Sequence, residues 1–421
     1  MVRFIHAADV HLDSPLRGLE RYPGAPVDRI RGATRQALEN LVSLSIDARV
    51  DLVLFAGDLY DGEWRDYNTG LYFSTQMSRL RAAGIRVVLL NGNHDAASEI
   101  TRLLRPLENM HILSVRAPET LRFEDIGVAI HGQGFSERAI TRNLVTSYPE
   151  ALDGLFNIGM LHTSLSGRDG HEPYAPCTVD DLLARGYDYW ALGHVHQYEE
   201  VRRDPWIVFP GNSQGRHIRE TGPKGCTLVE IEDGRVASLE FRSLDVLRWS
   251  RCRIDAAGAR DGEAVLDRAI PALQQRLTDD PDRIQAVRLE IVGACQAHAD
   301  FSRRAEHWLQ ELRAQVHDAT SGQVWLEKVT LQTRSDLALD QLAARDDLYG
   351  ALVRALQGLE AGDPIFEQLE RDQELLRARL PPEALRDGEL LERSTPEAFD
   401  QLREDLLQRL IPSLVHPMEV A

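Results

Sequence analysis

The chain has 421 residues, 43% of them hydrophobic, a length that exceeds one ordinary core and predicts two or three domains. Its formal net charge of −18 is a poor footprint for a nucleic-acid-binding protein, but residues 336–421 hold 19 Asp and Glu against 9 Arg, a balance of −10 that leaves −8 for the rest. The four cysteines form no C-x-x-C pair, and no run approaches about 18 apolar residues, which argues against a disulfide framework, a thiolate zinc site, a secretory leader and a membrane span, and predicts a soluble cytoplasmic protein.

Residues 1–247 alternate short apolar runs with helical patterns, as in an α/β layered domain. Strands are predicted within 3–11, 50–58, 85–93, 128–135, 156–164, 187–196, 206–213 and 226–233. A helix is predicted over 28–48, where Ile30, Ala33, Ala37, Leu38, Leu41 and Leu44 recur at three and four residues. "EDGRV" reads as a hairpin turn, so the last strands are expected to be antiparallel. A mixed two-sheet sandwich and a single open sheet both fit this pattern. Residues 248–335 read as a small α+β domain, with strands in "SRCRIDA", "AVRLEIV" and "VWLEKVTLQ" around helices at 262–278 and 300–317. Residues 336–421 carry no strand signal and read as three amphipathic helices, broken near Gly362-Asp363-Pro364 and Pro381-Pro382.

Polar residues stand where the apolar runs end. The first run ends in Asp9 and His11, two apart and so on one face of a strand. The next two end in Asp58 and in Asn93-His94, a later one at His162, and another in "GHVH" with His194 and His196. Ligand sites of open α/β sheets lie outside the carboxyl ends of their strands. Each signal alone has a bland account: D-x-H as a surface turn, "GNHD" as a turn capping the next helix. Their recurrence in order, always after an apolar run, favours a metal site. Carboxylate, carboxamide and imidazole donors without thiolate suit Mn²⁺, Fe²⁺ or Zn²⁺. So many donors exceed the need of one tetrahedral ion and suggest two ions sharing a carboxylate.

"DVH", "GDLYD", "GNHD", "LH" and "GHVH" resemble, in order, the five motifs of the calcineurin-like metallophosphoesterases over roughly residues 1–245. "FIHAADVHLDSPL" and "VFPGNSQGRHIRETGPKGC" are similar to the YhaO-like branch of the SbcD-type DNA repair exonucleases. The resemblance implies a two-sheet sandwich flanked by helices, a capping domain, a helical C-terminal segment and a two-manganese site. By motif position, Asp9, His11, Asp58 and His196 would hold one ion, and Asp58, Asn93, His162 and His194 the other, with Asp58 bridging. His94 matches the family's catalytic histidine. The resemblance further implies 3′→5′ exonuclease and endonuclease activity on DNA, homodimerisation, and a coiled-coil ATPase partner of the SbcC type gripped by the acidic tail.

Other residues keep two readings. His6 is out of phase with Asp9 and His11 and is expected to be a buried structural imidazole; His131 has no motif behind it. Asp95 either orients His94 or caps the next helix, and Tyr60 and Asp61 either line the site or only form its turn. Arg216, His217 and Arg219 either grip phosphates or form a solvated loop, and Trp64 and Tyr67 either stack on a base or pack in a core or dimer. Against the nuclease stand a phosphoesterase for a small substrate, such as a cyclic nucleotide or nucleotide pyrophosphate, and a scaffold that has lost its chemistry. The two C-terminal units argue against the first, and the intact motifs against the second.

Overall fold

The computed structural model describes residues 1–14, 27–61, 67–97, 106–166, 174–360, 363–377 and 396–415. It divides into two compact units: Met1–Arg251 with Arg276–Val287 and Gln323–Glu327, and Cys252–Gln275 with Arg288–Gly322 and Lys328–Ala421.

Two six-stranded sheets build the first unit. One runs β12 (Arg235–Ser243), β11 (Gly225–Glu232), β1 (Val2–Ala7), β2 (Leu52–Ala56), β3 (Arg86–Leu90), β4 (Met110–Ile112). The other runs β5 (Glu119–Phe123), β6 (Val128–Gly132), β7 (Phe156–His162), β8 (Tyr189–Gly193), β10 (Trp206–Phe209), β9 (Glu199–Arg203). Phe4, Leu52, Leu54 and Val88 of the first sheet meet Ile130, Ile158, Met160 and Tyr189 of the second in one buried cluster. The outer face of the first sheet packs on helices α1 (Val27–Asp47) and α2 (Tyr67–Ala82) through Leu38, Leu41, Phe73 and Met77. The outer face of the second is covered by Leu144, Tyr148 and Leu182. Strands sandwiched on both faces need apolar side chains at every position, which is why the central runs do not alternate. The architecture is therefore the two-sheet sandwich, not the single open sheet.

The hairpin reading holds: Asp233 and Gly234 both adopt positive φ, 49° and 70°, and β11 and β12 pair antiparallel. Three strands escaped the sequence reading, β4, β5 and β9, and all lie at sheet edges. Edge strands carry little of the core and are commonly charged against aggregation; β9 reads Glu-Glu-Val-Arg-Arg.

Leu247–Asp255, Ile284–Ala294 and Val324–Arg334 form a third, three-stranded sheet, with helices at Gly262–Asp279, His298–Arg303 and Ala305–Ala319. In the second unit, Leu407 and Ile411 of the helix Pro396–Val415 pack with Leu342 and Val353, and the Gln408 carbonyl accepts a hydrogen bond from His298 at 2.9 Å. Along the same helix Leu410 and Leu414 are exposed. Every described residue beyond 336 is helical or irregular. The four cysteines are buried free thiols, and no described helix is long and apolar enough to cross a membrane.

Candidate metal centre

β1, β2 and β3 run parallel, as do β7 and β8, so their carboxyl ends share an edge. The chain leaves these ends through unusual backbone. Asp9, His11, Asp58 and His194 have φ of 50°, 44°, 51° and 95°. A non-glycine residue in this region costs roughly 1–3 kcal/mol and persists only where its surroundings impose it. The two sheets also approach closely at this edge. A Cβ on Gly193 of the second sheet would run into the Ala56 carbonyl of the first; within the first sheet's own loops, one on Gly92 would run into the Asp58 carboxylate.

The result is a knot of donors. Ligand-competent atoms of Asp9, His11 and His196 lie within 4.8 Å of one another, as do those of His11, Asp58 and His94, and of Asp58, His162 and His194. Asp58 belongs to two of these groups. Its Oδ2 is 3.4 Å from His162 Nε2 and 3.9 Å from His11 Nε2, while its Oδ1 accepts the His94 N–H at 2.9 Å. The Asn93 carboxamide oxygen lies 3.0 Å from His162 Nε2. All seven predicted ligand positions and His94 thus meet at one place.

The ring nitrogens on the far side are tied down. His196 Nδ1 donates to Glu220 at 2.7 Å, and His162 Nδ1 to the Ala56 carbonyl at 3.0 Å. Such bonds fix the tautomer and aim the Nε2 lone pair inward. His11 Nε2 and His196 Nε2 then face each other at 3.3 Å, and Asp9 Oδ1 is buried without a hydrogen-bond partner. Lone pairs and carboxylates aimed at one another repel unless a cation lies among them. The donor set fits divalent ions. The crowded donors also shift one another: burial works to raise both carboxyls, and it wins at Asp9, whereas the charges of His162, His11 and His94 hold Asp58 well below the carboxylate range. Burial opposes the His162 cation, but Asp58 pushes it up to about 9.

Three residues complete the surroundings. Asp61 Oδ1 lies 3.0 Å from His94 Nδ1 and 3.6 Å from His11 Nδ1, so the site reading of Asp61 holds over the turn reading. Burial disfavours the His94 cation, yet this bond and the Asp58 and Asp61 charges raise its pKa above the ordinary value. Arg216 lies between Asp61, at 3.6 Å, and Glu220, at 3.2 Å. Glu220 escaped the sequence reading. Its signal was weak: an acid five residues after Gly215 resembles any loop acid, and only the fold shows it backing His196.

The remaining candidates fall away from the donors. His6 is buried, bonded to the Tyr189 hydroxyl at 3.0 Å and the Leu192 carbonyl at 3.1 Å. His131 bonds Thr120 and Asn157 and stacks on Tyr187. Asp95 accepts the backbone N–H groups of Leu59, Tyr60 and Gly92, which staples the second and third strand ends together; it orients the loops, not His94. Trp64 and the Tyr67 side chain lie outside the described residues.

Comparison with known proteins agrees with this geometry. The family description for calcineurin-like phosphoesterases matches residues 2–198, and that for the middle domain of the metallophosphoesterase YhaO matches residues 249–334. The metallophosphoesterase YhaO of Bacillus subtilis (strain 168) is 34% identical over 381 residues, covering 87% of this chain and 90% of the relative. The DNA double-strand break repair protein Mre11 of Methanopyrus kandleri is 28% identical over 372 residues, covering 78% and 75%. That of Haloferax volcanii is 25% identical over 410 residues, covering 95% and 84%. With its donors gathered at the carboxyl ends of a two-sheet sandwich, the chain belongs to the calcineurin-like metallophosphoesterases, metal-dependent hydrolases of phosphoesters, and among them resembles YhaO.

Proposed function

We propose that the protein is a two-metal DNA nuclease that hydrolyses phosphodiester bonds at DNA ends, as a 3′→5′ exonuclease with endonuclease activity, in double-strand break repair. The convergence of the strand-end donors around Asp58 carries the phosphodiesterase chemistry; similarity to Mre11 proteins across most of the chain supports DNA as the substrate. Asp9, His11, Asp58 and His196 would hold one ion, and Asp58, Asn93, His162 and His194 the other, with Mn²⁺ suited to this oxygen and imidazole set. Bound there, the ions supply a clamp on the entering and leaving oxygens and offset the charge of the diester. His94 donates a proton to the leaving oxygen, and Asp61 holds its ring in the donating orientation. A nuclease assay on end-labelled linear DNA with free and blocked ends, beside bis-p-nitrophenyl phosphate, with and without Mn²⁺, tests this. Hydrolysis of the small diester alone would favour the small-substrate reading.

The helical tail is the docking element for a coiled-coil ATPase of the SbcC type, and the protein works as a homodimer. Packing of Leu407 and Ile411 fixes one face of the last helix, and the exposed Leu410 and Leu414 present another to a partner groove. Leu410→Glu with Leu414→Glu is expected to abolish co-purification with the ATPase while leaving diester hydrolysis intact; retained co-purification would remove the tail from that role.

A further inference from the structure

We propose that Arg138 and Arg219 form a subsite at the mouth of the metal cleft for the phosphates that flank the scissile one on a polynucleotide strand. The inference rests on the nuclease reading and names the residues that would make a long polyanion a better substrate than a small ester.

The donors open into a cleft of about 530 Å³ whose lining includes Asp58, Asn93 and His94. Among the described residues, four non-histidine cations line it: Arg138, Arg216, Arg219 and Lys224. Two are already committed. Arg216 is largely buried between Asp61 and Glu220, and the buried Lys224 ammonium donates to the His196 carbonyl at 2.6 Å. The other two are exposed, and neither guanidinium has a partner among the described residues. Carboxylates are not scarce in a chain with 66 acidic side chains, and Arg35, Arg86, Arg203, Arg248 and Arg304 all pair with them. Nor is a carboxylate lacking nearby. Glu220 follows Arg219 directly, but its side chain turns inward to His196 and Arg216.

The two arginines reach the cleft from different connections, Arg138 from the segment between β6 and β7, Arg219 from that between β10 and β11. Exposed positive charge therefore reaches the cleft from outside the ligand-bearing strand ends. A small phosphodiester presents one charge, which the metal pair would meet. A strand presents another phosphate on each nucleotide, and guanidinium groups match phosphate geometry with paired donors. Contacts of this kind position a backbone without reading its sequence.

Both side chains are exposed, so Arg138→Gln, Arg219→Gln and the double variant should fold. The kinetics of each on bis-p-nitrophenyl phosphate and on an end-labelled single-stranded oligonucleotide, across a salt series, test the subsite. For the double variant the oligonucleotide KM should rise roughly two- to thirtyfold, as two exposed charge pairs are lost. The slope of log KM against log salt should fall by about 1.4, or about 0.7 per phosphate contact on a single strand. Hydrolysis of the small diester should not change. Unchanged oligonucleotide KM and salt slope would overturn the subsite, as would an equal loss on both substrates, which would place the arginines in the chemistry. A wild-type enzyme that hydrolyses the small diester but no oligonucleotide would instead bring down the nuclease reading itself.

Discussion

Two sets of histidines lie within the same sandwich and behave differently. His6 and His131 have both ring nitrogens bonded to non-ligand groups, Tyr189 and Leu192 for one, Thr120 and Asn157 for the other. His162 and His196 have only their outer nitrogens bonded in that way, to Ala56 and Glu220; His162 Nε2 meets Asn93 and Asp58, and His196 Nε2 meets His11 and Asp9. A buried polar group left without a partner costs about 1–3 kcal/mol. An imidazole whose inner nitrogen meets only other donors is therefore held there for something that is not protein. Bonds from both ring nitrogens to groups outside the donor cluster mark a structural histidine, and a ring nitrogen turned on the other ligand candidates marks a ligand.

The harshest way to break that contrast is Asp58→Asn. Asp58 is shared by two donor groups, and a neutral amide cannot hold two adjacent dications. The variant should lose at least one ion per chain by elemental analysis, and its activity should fall by more than the roughly 10²–10⁴-fold that loss of an acid–base group brings. Retention of two tightly bound ions would refute the shared role.

His94→Asn comes next. The ring of His94 is backed by Asp61 and is partly open to the cleft. Turnover should drop about 10²–10⁴-fold with metal content unchanged. If metal is lost in step with activity, His94 belongs among the ligands.

A smaller effect is expected at Glu220, which touches no candidate donor atom directly but fixes His196 through Nδ1. Glu220→Gln keeps the shape and removes the charge. Metal affinity should weaken about 10–100-fold, the usual range for partners behind a ligand, measured by titration of the apo-protein. An unchanged affinity would mean that the backbone alone orients His196.

The strand ends were legible because order and spacing survive in a linear sequence: apolar run, then donor, repeated. Asp9 and His11, or His194 and His196, stand out by their place just after an apolar run. The period of a strand does not bring them together: all four lie beyond β1 and β8, and Asp9, His11 and His194 have positive φ. Glu220 and Arg216 do not stand out, because their meaning lies in contacts with His196 and Asp61 that only the folded chain brings about. Asp95 was half legible. Its place beside His94 suggested two roles, and only its bonds to Leu59, Tyr60 and Gly92 decide between them. The sandwich itself was left open against a single sheet, since strands covered on both faces look alike in either arrangement, and the edge strands were missed because edges lack an apolar signature.

The mildest test probes the fully bonded class. His6 lies on β1 and bonds Tyr189 and Leu192 of β8, tying the two sheets together. Burial lowers its pKa from the ordinary 6.5 to about 3. In the unfolded chain the imidazole takes up a proton near pH 6.5; in the folded protein it resists until about pH 3. The folded value is depressed, so its contribution is fully present above pH 6.5 and is lost as the pH falls towards 3, at up to about 1.4 kcal/mol per pH unit. His6→Gln removes that proton uptake while keeping an amide able to bond. At pH 8 the variant should be less stable by about 1–3 kcal/mol, because the amide cannot reproduce both bonds. Between pH 6.5 and 5 its stability should fall less steeply than that of the wild type, so the two denaturation curves converge. Metal content should be untouched at every pH where both are folded. Parallel pH dependences would show that His6 takes up its proton as readily in the native state as in the unfolded chain, and loss of metal would show that the division between the two kinds of histidine is not as sharp as their bonding implies.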